Sequence, residues 1–290
     1  MLMVSVIIPT KNRPVQLRRC LMSLMEQKRI ELMAEIIIIN DGSNQEYIRE
    51  VAKSSITKKC LKLHEINNNQ SKGSNTCRNQ GAKLASSPIL AFLDDDSFPD
   101  PYWLENVVEY TCRYGVITGR IMNAHERFRV IPYIRQQRYN LRQASLAESS
   151  KSTFFSGGNC AIKSELFNLV DGFDESLKIM SDNALLQKLK LYQQECYYID
   201  NVRIHHLHDP SFLTAFRNAW NAGIVKVKTT NINRGWEIVS SCRQNISAFN
   251  AIPKGHLSRM KYFIVKFTNN LLQVAFHLSM LYAWKKKINE

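Results

Sequence analysis

The sequence has few glycines and prolines, and no cysteines close enough together to form a metal or redox motif. Eleven glycines and eight prolines among 290 residues exclude collagen-like and low-complexity chains. The seven cysteines lie at least 17 positions apart, which excludes a zinc knuckle, a CxxC redox pair and a compact disulfide framework. We interpret them as reduced, mostly buried thiols of an intracellular protein.

The N-terminal segment lacks the features of a secretory signal. Its apolar run, MLMVSVIIP, has no basic segment before it and no small-residue cleavage site after it. We therefore expect this run to form a core strand. Hydrophobic residues make up 44% and charged residues 22% of the sequence, so a chain of this length can bury a large core.

Acidic residues are scarce in the last third of the chain. Residues 201–290 contain 13 Lys or Arg and 3 Asp or Glu, whereas residues 1–200 contain 26 and 22, so the net charges are +10 and +4. This asymmetry predicts an anionic partner: nucleic acid, an acidic membrane surface or a phosphorylated substrate. Because no RNP-type, helix-turn-helix or zinc motif accompanies the charge, nucleic acid is not among the partners that we predict.

Four β-branched apolar runs recur in the first hundred residues, at the spacing of a strand and its crossover helix. The runs are Val4–Ile8, Glu35–Ile39, Leu61–Ile66 and Ile89–Leu93, and helical patterns over Val15–Met25 and Asn75–Ala85 lie between them. Continuously apolar strands are buried on both faces. We predict an α/β fold with a Rossmann-like, mostly parallel central sheet flanked by helices, and ligands at the carboxyl ends of its strands.

The second half of the chain continues with further predicted elements. These are helices over 102–112, 164–170 and around 182–193, and strands over 115–121 and near 196–206. The polar segment 146–152 is predicted to be a loop. No internal repeat or Gly/Ser linker is present, so we predict one continuous domain of about 230 residues.

Three consecutive carboxylates, Asp94, Asp95 and Asp96, follow the apolar run that ends at Leu93. They repel one another, so water or a cation has to screen them. An all-oxygen set without a nearby Cys or His favours Mg²⁺ or Mn²⁺, and Asp94 with Asp96 has the DxD spacing that presents two oxygens from one turn. The alternative is a solvated turn or a helix N-cap cluster before Pro99.

Six motifs occur in order within residues 3–210. They are SVIIPT at 5–10, NDGS at 40–43, CRNQG at 77–81, FLDDD at 92–96, GGN at 157–159 and GFDE at 172–175. Each motif alone is weak, but the ordered series resembles that of the family 2 inverting glycosyltransferases, which have the A-type (GT-A) fold. The resemblance implies a catalytic domain over residues 1–230, with a nucleotide-binding half at about 1–100 and an acceptor half at about 101–230. A basic amphipathic helical extension over 231–290 would follow it.

The resemblance assigns roles on the nucleotide side of the site. Asp41 resembles the residue that accepts a hydrogen bond from the base, which makes UDP the first choice of nucleotide and dTDP the second. Arg78 would lie beside the base and diphosphate, and Asp95 would reach the ribose. The implied nucleotide-binding residues are Pro9, Thr10, Asn12, Arg13, Asp41, Lys72, Arg78, Asp94 and Asp95. The structural alternatives are an ordinary turn at 40–43 and a helix-surface arginine at 78.

The implied cofactor is Mn²⁺ or Mg²⁺, with Asp96 as principal ligand and Asp94 beside it. A late histidine is a further family position, for which His205 and His208 are the candidates; the alternative is that they are solvated or packed. If this segment is extended, His205 and His206 point to opposite faces of the strand. Only one of these two faces can line the site.

Asp182 is the implied catalytic base. Relatives carry a Glu-Asp pair that opens a helix after GFDE; this chain has Ser181 in place of the Glu, and Lys188 where relatives have Arg. The structural alternative is that Ser181 or Asp182 simply caps the helix. The acceptor and donor-sugar side is predicted to be lined by Gly157, Gly158, Asn159 and Trp103.

Residues 256–287 are apolar-rich but interrupted by polar residues. At 3.6 residues per turn, the interrupting residues fall within an arc of about 100°; they are Arg259, Lys266, Asn269, Asn270, Gln273 and His277. We predict an amphipathic helix, not a transmembrane one. Its apolar face lies either in an anionic membrane interface, where lipid-linked acceptors are found, or against the catalytic domain or a partner subunit. The predicted location is cytoplasmic and, in the first case, peripheral on the inner face of the cytoplasmic membrane.

These observations predict a metal-dependent inverting glycosyltransferase of polysaccharide biosynthesis. It would move a sugar from a UDP-sugar to a hydroxyl of a glycan or lipid-linked acceptor by single displacement, with Asp182 as the base. The alternatives are a sugar nucleotidyltransferase-like protein and a non-catalytic relative. A nucleotidyltransferase would carry a Gly-rich phosphate loop after the first strand, and residues 9–13 contain no glycine. The Ser at 181 leaves the non-catalytic relative open.

Overall fold

The structure, a computed structural model, describes residues 3–55, 62–144, 146, 149–177, 180–229 and 252–289. The chain forms two compact units, Met1–Met122 with Arg142–His206, and Asn123–Leu141 with Leu207–Glu290. The predicted boundary at 230/231 lies outside the described residues and stays a prediction. Leu61 of the third predicted strand and residues 147–148 of the predicted loop also lie outside the described residues.

The first unit is built on one sheet. Its strands are β1 (Val4–Thr10), β2 (Met33–Asn40), β3 (Lys62–Asn67), β4 (Ile89–Leu93), β5 (Ser97–Pro99), β6 (Val116–Asn123), β7 (Ser150–Lys151), β8 (Asn159–Lys163) and β9 (Tyr197–His206). Their order is β3-β2-β1-β4-β8-β6-β9-β5, and β7 pairs with β9. Ser150 and Lys151, predicted to lie in a loop, thus form a short strand.

Nine helices are described. They are α1 (Pro14–Met25), α2 (Gln45–Ser55), α3 (Ser74–Leu84), α4 (Trp103–Tyr114), α5 (Val130–Ala144), α6 (Ser164–Leu169), α7 (Ser181–Leu191), α8 (Phe212–Thr229) and α9 (Arg259–Asn289). Proline at the first helical position starts α1, where its missing N–H costs nothing. At the other end of a helix, Gly115 (φ +80°) stops α4 and donates its N–H to the carbonyl of Thr111.

The α/β fold with a central sheet flanked by helices is confirmed. Strands β3, β2, β1 and β4 are mutually parallel, because helical crossovers join them. From β8 onward the described pairs are antiparallel: β8 runs against β4 and β6, and β9 runs against β5 and β7. The sheet is therefore parallel in the half that contains β1 and mixed in the other half.

The core of the first unit lies between the sheet and helices α3, α6 and α7. Three rings meet there: the centroid of Phe92 on β4 is 5.2 Å from that of Phe167 and 5.4 Å from that of Phe173. All three rings are buried. Phe173 of the GFDE motif is therefore a core residue that anchors the loop before α7.

The second unit contains most of α5, together with α8 and α9, which pack on one another. Gly223 allows α8 and α9 to approach closely, since a Cβ there would lie 2.0 Å from Ser279 Oγ and 2.2 Å from the Phe276 carbonyl. Small apolar clusters fill the remaining space; one joins Ile131, Ala215 and Leu272. The close approach fixes which side of α9 faces α8.

The side of α9 that faces inward includes much of the predicted polar stripe. Asn269 and His277 are buried, and Asn269 Oδ1 accepts a hydrogen bond from Arg138 Nη2 at 3.0 Å. Phe263 and Leu278, on the predicted apolar face, are exposed. The predicted apolar face is thus divided: Leu272, Phe276 and Trp284 pack within the second unit, whereas Phe263 and Leu278 face outward.

Glu35 is a buried carboxylate on β2 that joins three segments of the first unit. Its Oε1 accepts hydrogen bonds from Ser5 Oγ (2.6 Å), Ser86 N (2.7 Å) and Ser86 Oγ (2.9 Å), and Oε2 lies 2.9 Å from His64 Nε2. Burial raises the pKa of Glu35, but the hydrogen bonds from Ser5 and Ser86 outweigh burial and hold the pKa below its usual value. The charged form therefore stabilises the fold.

We expect Glu35→Ala to lower the free energy of unfolding at pH 7 by about 2–4 kcal/mol, because it leaves buried donors without their acceptor. The stabilisation by Glu35 is fully present above the unfolded-state pKa of about 4.3 and is lost as the pH falls through the lower folded-state pKa. Urea unfolding at a series of pH values should show the difference from wild type shrinking in acid. Glu31→Ala, at an exposed ion pair that water screens, is the control and should leave stability almost unchanged. A Glu35→Ala effect that does not vary with pH would contradict the interpretation.

Candidate active site

A pocket of about 470 Å³ lies at the carboxyl ends of β1, β2 and β4, where ligands bind in open α/β sheets. Its lining residues are Pro9, Thr10, Lys11, Arg13, Asp41, Ser71, Gly73, Ser74, Arg78, Asp94 and Asp95. The structure thus brings together seven of the nine residues predicted to bind nucleotide. The other two, Asn12 and Lys72, are chain neighbours of lining residues.

Asp41 shapes the wall of this pocket. Its carboxylate accepts hydrogen bonds from Ser71 Oγ (2.6 Å), Lys72 N (2.7 Å) and Gly73 N (3.1 Å). Burial raises the pKa of Asp41, but these hydrogen bonds lower it further than burial raises it. The Asp41 carboxylate is therefore charged and ties the loop before α3 to the end of β2. Lys72 contributes its backbone N–H, and its side chain is exposed.

Asn12 has a backbone role in the same region. It adopts φ +54°, which Asn tolerates better than most residues, and its N–H donates to Ser43 Oγ at 2.7 Å. This bond joins the loop after β1 to the loop after β2. The next residue, Arg13, reaches the carboxylates that follow β4.

The three carboxylates after β4 each have a positively charged or imidazole partner. Arg78 Nη2 lies 2.6 Å from Asp94 Oδ1, and Arg13 Nη1 lies 3.2 Å from Asp95 Oδ1 and 2.8 Å from Asp96 Oδ2. His206 Nε2 lies 3.1 Å from Asp96 Oδ1. The repulsion that the sequence predicted is thus screened partly by two guanidinium groups of the chain itself. The sequence pattern around DDD gave no sign of either pairing.

Asp95 and Asp96 differ in acidity although they are neighbours. Burial raises the pKa of Asp95 to about 6, against the opposing charge of Arg13. Burial also raises the pKa of Asp96, but the hydrogen bond and charge of His206 and the charge of Arg13 lower it below its usual value. Asp95 Oδ2 accepts a hydrogen bond from Thr10 Oγ1 at 2.8 Å. Asp96 is therefore the more persistent anion of the two.

Asp94, Asp96 and His206 form a group that could hold a metal ion. One ligand atom of each lies within 4.8 Å of the others. Two carboxylate oxygens and one imidazole nitrogen are a donor set that divalent transition metals accept. The residues present therefore fit a divalent cation.

The histidine beside the carboxylates is His206, in place of the predicted His205 and His208. In β9, His206 pairs with Ser97 and His205 with Phe98, so the two side chains leave opposite faces of the strand. His205 Nε2 instead lies 3.0 Å from Asp100 Oδ1. His208 belongs to the second unit, where its buried ring stacks on Tyr139. Strand alternation was visible in the sequence, but the face that meets Asp96 was not.

Gly157 and Gly158 lie against the carboxylates at close range. A Cβ on Gly158 would lie 2.2 Å from Asp94 Oδ2, and a Cβ on Gly157 would lie 2.6 Å from Asp182 Oδ1 and 3.3 Å from Arg78 Cζ. Real Cβ atoms essentially never make contacts under 3.0 Å, so a side chain at either position would push the Asp94 or the Asp182 carboxylate out of its place. The GGN motif is the backbone that lets Asp94, Arg78 and Asp182 share one site.

Asp182 lies in the first turn of α7 and is not its cap. Met180 occupies the N-cap position with φ +61° and makes no side-chain cap hydrogen bond. Burial raises the pKa of Asp182, while the charge of Arg78 and a hydrogen bond from the Gly157 N–H oppose the rise; the net direction is upward. Asp182 lies with Arg78, which lines the pocket, around Gly157, and a carboxylate with a raised pKa in such a position is the type of group that accepts a proton in catalysis.

Asn159 and Trp103, predicted on the acceptor and donor-sugar side, lie in the core. Both are fully buried. Trp103 Nε1 donates to Asn159 Oδ1 at 2.9 Å, and Asn159 Nδ2 donates to the carbonyls of Arg120 (3.0 Å) and Val202 (2.9 Å). The hydrogen-bonding atoms of these side chains are occupied by protein. Asn159 and Trp103 therefore join β8, β6, β9 and α4 and present no surface to a ligand.

The CRNQG and GFDE motifs are physically coupled. Asn79 Oδ1 accepts from Phe173 N (2.9 Å), and Asn79 Nδ2 donates to the Phe173 carbonyl (2.8 Å) and to Glu175 Oε1 (2.9 Å). Lys188 Nζ donates to the Gly172 carbonyl at 3.1 Å. The Arg-to-Lys departure at 188 thus falls on a residue that supports a turn. The sequence showed both motifs but not this coupling.

Comparison with known proteins identifies one matching family. The family model "Glycosyl transferase family 2" matches residues 5–170, more than half of the chain. A glycosyltransferase of Haloferax volcanii, AglE, is 34% identical over 113 residues, which are 39% of this chain and 36% of that protein. Polypeptide N-acetylgalactosaminyltransferase 8 of Drosophila melanogaster is 25% identical over 89% of this chain and 48% of its own length. The chain thus spans less than half the length of these two relatives.

A solved structure has a similar fold over almost the whole chain. It is a mannosyltransferase of Pyrobaculum calidifontis in complex with GDP-Man and Mn²⁺, with a TM-score of 0.66, 16% identity and coverage of 96% of this chain and 87% of that one. At this identity the similarity concerns the fold. The GT-A architecture expected from the sequence is confirmed.

We expect Gly158→Ala to weaken Mn²⁺ binding at least about tenfold, because the new methyl group displaces Asp94 from the metal-binding group. Calorimetric titration of the purified protein with Mn²⁺ measures the change. Gly255→Ala is the matched control, since its Cβ would meet only Tyr133 Oη at 3.5 Å and its φ of +52° costs about 1 kcal/mol. Unchanged Mn²⁺ affinity in the Gly158 variant would show that Asp94 is not a ligand.

Proposed function

Because the chain belongs to glycosyltransferase family 2, we propose that it transfers a sugar from a nucleoside diphosphate donor to an acceptor hydroxyl with inversion at the anomeric carbon. The observation that carries the proposal is the convergence of Asp94, Arg78 and Asp182 around Gly157 and Gly158. This convergence supports the proposal because the Arg78 guanidinium, which can bind a diphosphate, lies beside the Asp182 carboxylate, which can act as a base.

The donor we propose is a UDP-sugar, with a dTDP-sugar second. Asp41 supports a base with a ring N–H, because its carboxylate is charged and lines the pocket. The fold neighbour bound to GDP-Man supports a nucleotide-sugar donor in general. Guanine also offers donors to a carboxylate, so a GDP-sugar belongs in the same test.

The cofactor we propose is Mn²⁺ ahead of Mg²⁺, held by Asp94, Asp96 and His206. An imidazole ligand supports the choice, since Mg²⁺ strongly prefers oxygen. When bound, the ion supplies positive charge for the diphosphate leaving group. Arg13 and Arg78 line the same pocket and offer fixed N–H donors to phosphate oxygens.

Asp182 is the proposed base. Its carboxylate takes the proton of the acceptor hydroxyl as the hydroxyl oxygen attacks the anomeric carbon, and the bond from that carbon to the diphosphate breaks on the opposite face. Arg78 stabilises the charge that grows on the departing diphosphate. One displacement of this kind inverts the configuration, and the chain forms no covalent bond to the sugar.

The acceptor we propose is a glycan or a lipid-linked saccharide in polysaccharide biosynthesis, handled at the cytoplasmic face of a membrane. The basic last third of the chain supports an anionic partner of this kind. Among the described residues, no helix is long and apolar enough to cross a bilayer.

A donor panel with two variants tests the chemistry. We expect wild type to hydrolyse or transfer from one of UDP-, dTDP- or GDP-sugars in the presence of Mn²⁺, with an inverted anomeric product by NMR. Asp96→Ala should lose metal-dependent nucleotide binding, whereas Asp182→Asn should keep nucleotide binding and lose at least about 10³-fold in turnover. Equal nucleotide affinity of Asp96→Ala and wild type would refute the metal site. Nucleotide binding by wild type without turnover on any donor would favour a non-catalytic relative.

The pH dependence of kcat/KM tests the assignment of the base. Asp182 has to be ionised to accept a proton, so the rate should fall as the pH drops through its pKa, which burial raises above that of an ordinary Asp. Arg78→Gln removes the positive charge that lowers this pKa, so the acid limb should move to higher pH as the rate falls. Arg203→Gln, at an ion pair with Asp200 elsewhere in the sheet, is the control and should leave the limb in place. An acid limb that stays fixed in Arg78→Gln would argue against Asp182.

A further inference from the structure

The side of α9 opposite its buried side is apolar and exposed. Its exposed apolar residues recur at intervals of three and four positions, and at about 100° per residue they fall within an arc of about 100° and extend over about 33 Å. We call them the α9 stripe: Met260, Phe263, Ile264, Phe267, Leu271, Val274, Leu278, Leu281 and Tyr282. Phe263 is 69% and Phe267 56% exposed, so two of the largest side chains of the helix face solvent.

Packing on the other side of the helix keeps the α9 stripe exposed. Val265, Asn269, Leu272 and Met280 are buried on that side. The contact with α8 requires the close approach at Gly223, which a larger side chain on α9 would block. Rotation of α9 to bury the stripe would bring larger side chains such as Leu278 to Gly223 and expose Asn269 without its Arg138 donor. The exposed stripe is therefore built into the packing of the second unit.

The charge of α9 indicates what covers the stripe. The helix carries six basic residues and no Asp or Glu over Arg259–Asn289; the basic residues are Arg259, Lys261, Lys266, Lys285, Lys286 and Lys287. By helical angle, Lys261 and Lys286 lie along one border of the stripe and Arg259 near the other, while Lys285 continues the stripe at its end. A second copy would bring its own α9 basic residues to the same surface, with no Asp or Glu from Arg259–Asn289 to balance them, which repels. An anionic lipid surface supplies the opposite charge along its whole area.

We propose that the α9 stripe docks into the interfacial region of an anionic bilayer, with α9 in the plane of the membrane. The apolar side chains enter the boundary of the acyl chains, and the bordering lysines contact lipid phosphates. The surface lies in the second unit and includes no residue of the donor pocket. This proposal therefore stands or falls separately from the proposed glycosyl transfer.

Binding of the full chain to vesicles tests the apolar half of the proposal. We expect co-sedimentation with phosphatidylcholine vesicles that contain about 30% phosphatidylglycerol. The double variant Phe263→Ser/Phe267→Ser should bind at least about tenfold more weakly, because two exposed rings no longer enter the bilayer. The matched control, Phe212→Ser/Leu213→Ser, removes exposed apolar residues of α8 outside the stripe and should bind within about twofold of wild type. All these side chains are exposed, so thermal unfolding should be unchanged.

The charge half is tested with Lys285→Gln/Lys286→Gln, at the two lysines near the end of the stripe. Each basic residue near an anionic surface strengthens binding about fivefold, so the double variant should bind roughly 25-fold more weakly. Equal binding of wild type to vesicles of pure phosphatidylcholine would overturn the role of the lysines. Light scattering gives the decisive alternative: a dimer in solution that Phe263→Ser/Phe267→Ser dissociates, with no vesicle binding, would assign the stripe to a second copy and overturn the proposal.

Discussion

The arrangement of the first unit depends on one constraint, the crowding of three carboxylates at the end of β4. Asp94, Asp95 and Asp96 cannot lie side by side in a partly buried position unless positive charge reaches them. The structure delivers that charge from Arg13 after β1 and Arg78 on α3, far apart in sequence, and places the His206 imidazole at the end of β9 beside Asp96. The last residues of β9 and the chain that follows β1 and β4 have to meet at this cluster for it to be tolerated.

Arg78 connects this constraint to the candidate base. It pairs with Asp94, and its charge also lowers the pKa of Asp182, which burial raises. Gly157 and Gly158 have no side chains, and this lets the three groups approach one another. The buried Arg78 guanidinium keeps Asp182 more acidic than burial alone would allow while it also pairs with Asp94, so diphosphate binding and base strength are not independent. Any change at Arg78 should therefore act on both.

The sequence predicted best what depends on local pattern. The run Ile89–Leu93 is β4 residue for residue, and Asp94 and Asp95 after it line the pocket. What it missed depends on register between distant strands. Whether His205 or His206 faces Asp96 is set by the pairing of β9 with β5, which alternation alone cannot choose. Contacts between distant elements also decide the position of Asn159 and Trp103. We predicted both beside a ligand, but their polar atoms make hydrogen bonds to each other and to the backbone of β9.

The helix α9 shows why an amphipathic pattern does not reveal its own orientation. The angular positions of Asn269 and Phe263 follow from the sequence, but which of them faces inward is decided by the neighbour. Burying Asn269 without a partner would cost about 1–3 kcal/mol, and Arg138 on α5 removes that cost. Because Gly223 brings the two helices close together, small side chains of α9 such as Ser279 fit at the contact better than the larger ones of the stripe. The apolar arc is left outside because two residues on other helices, Arg138 and Gly223, fit the polar and small side of α9 better.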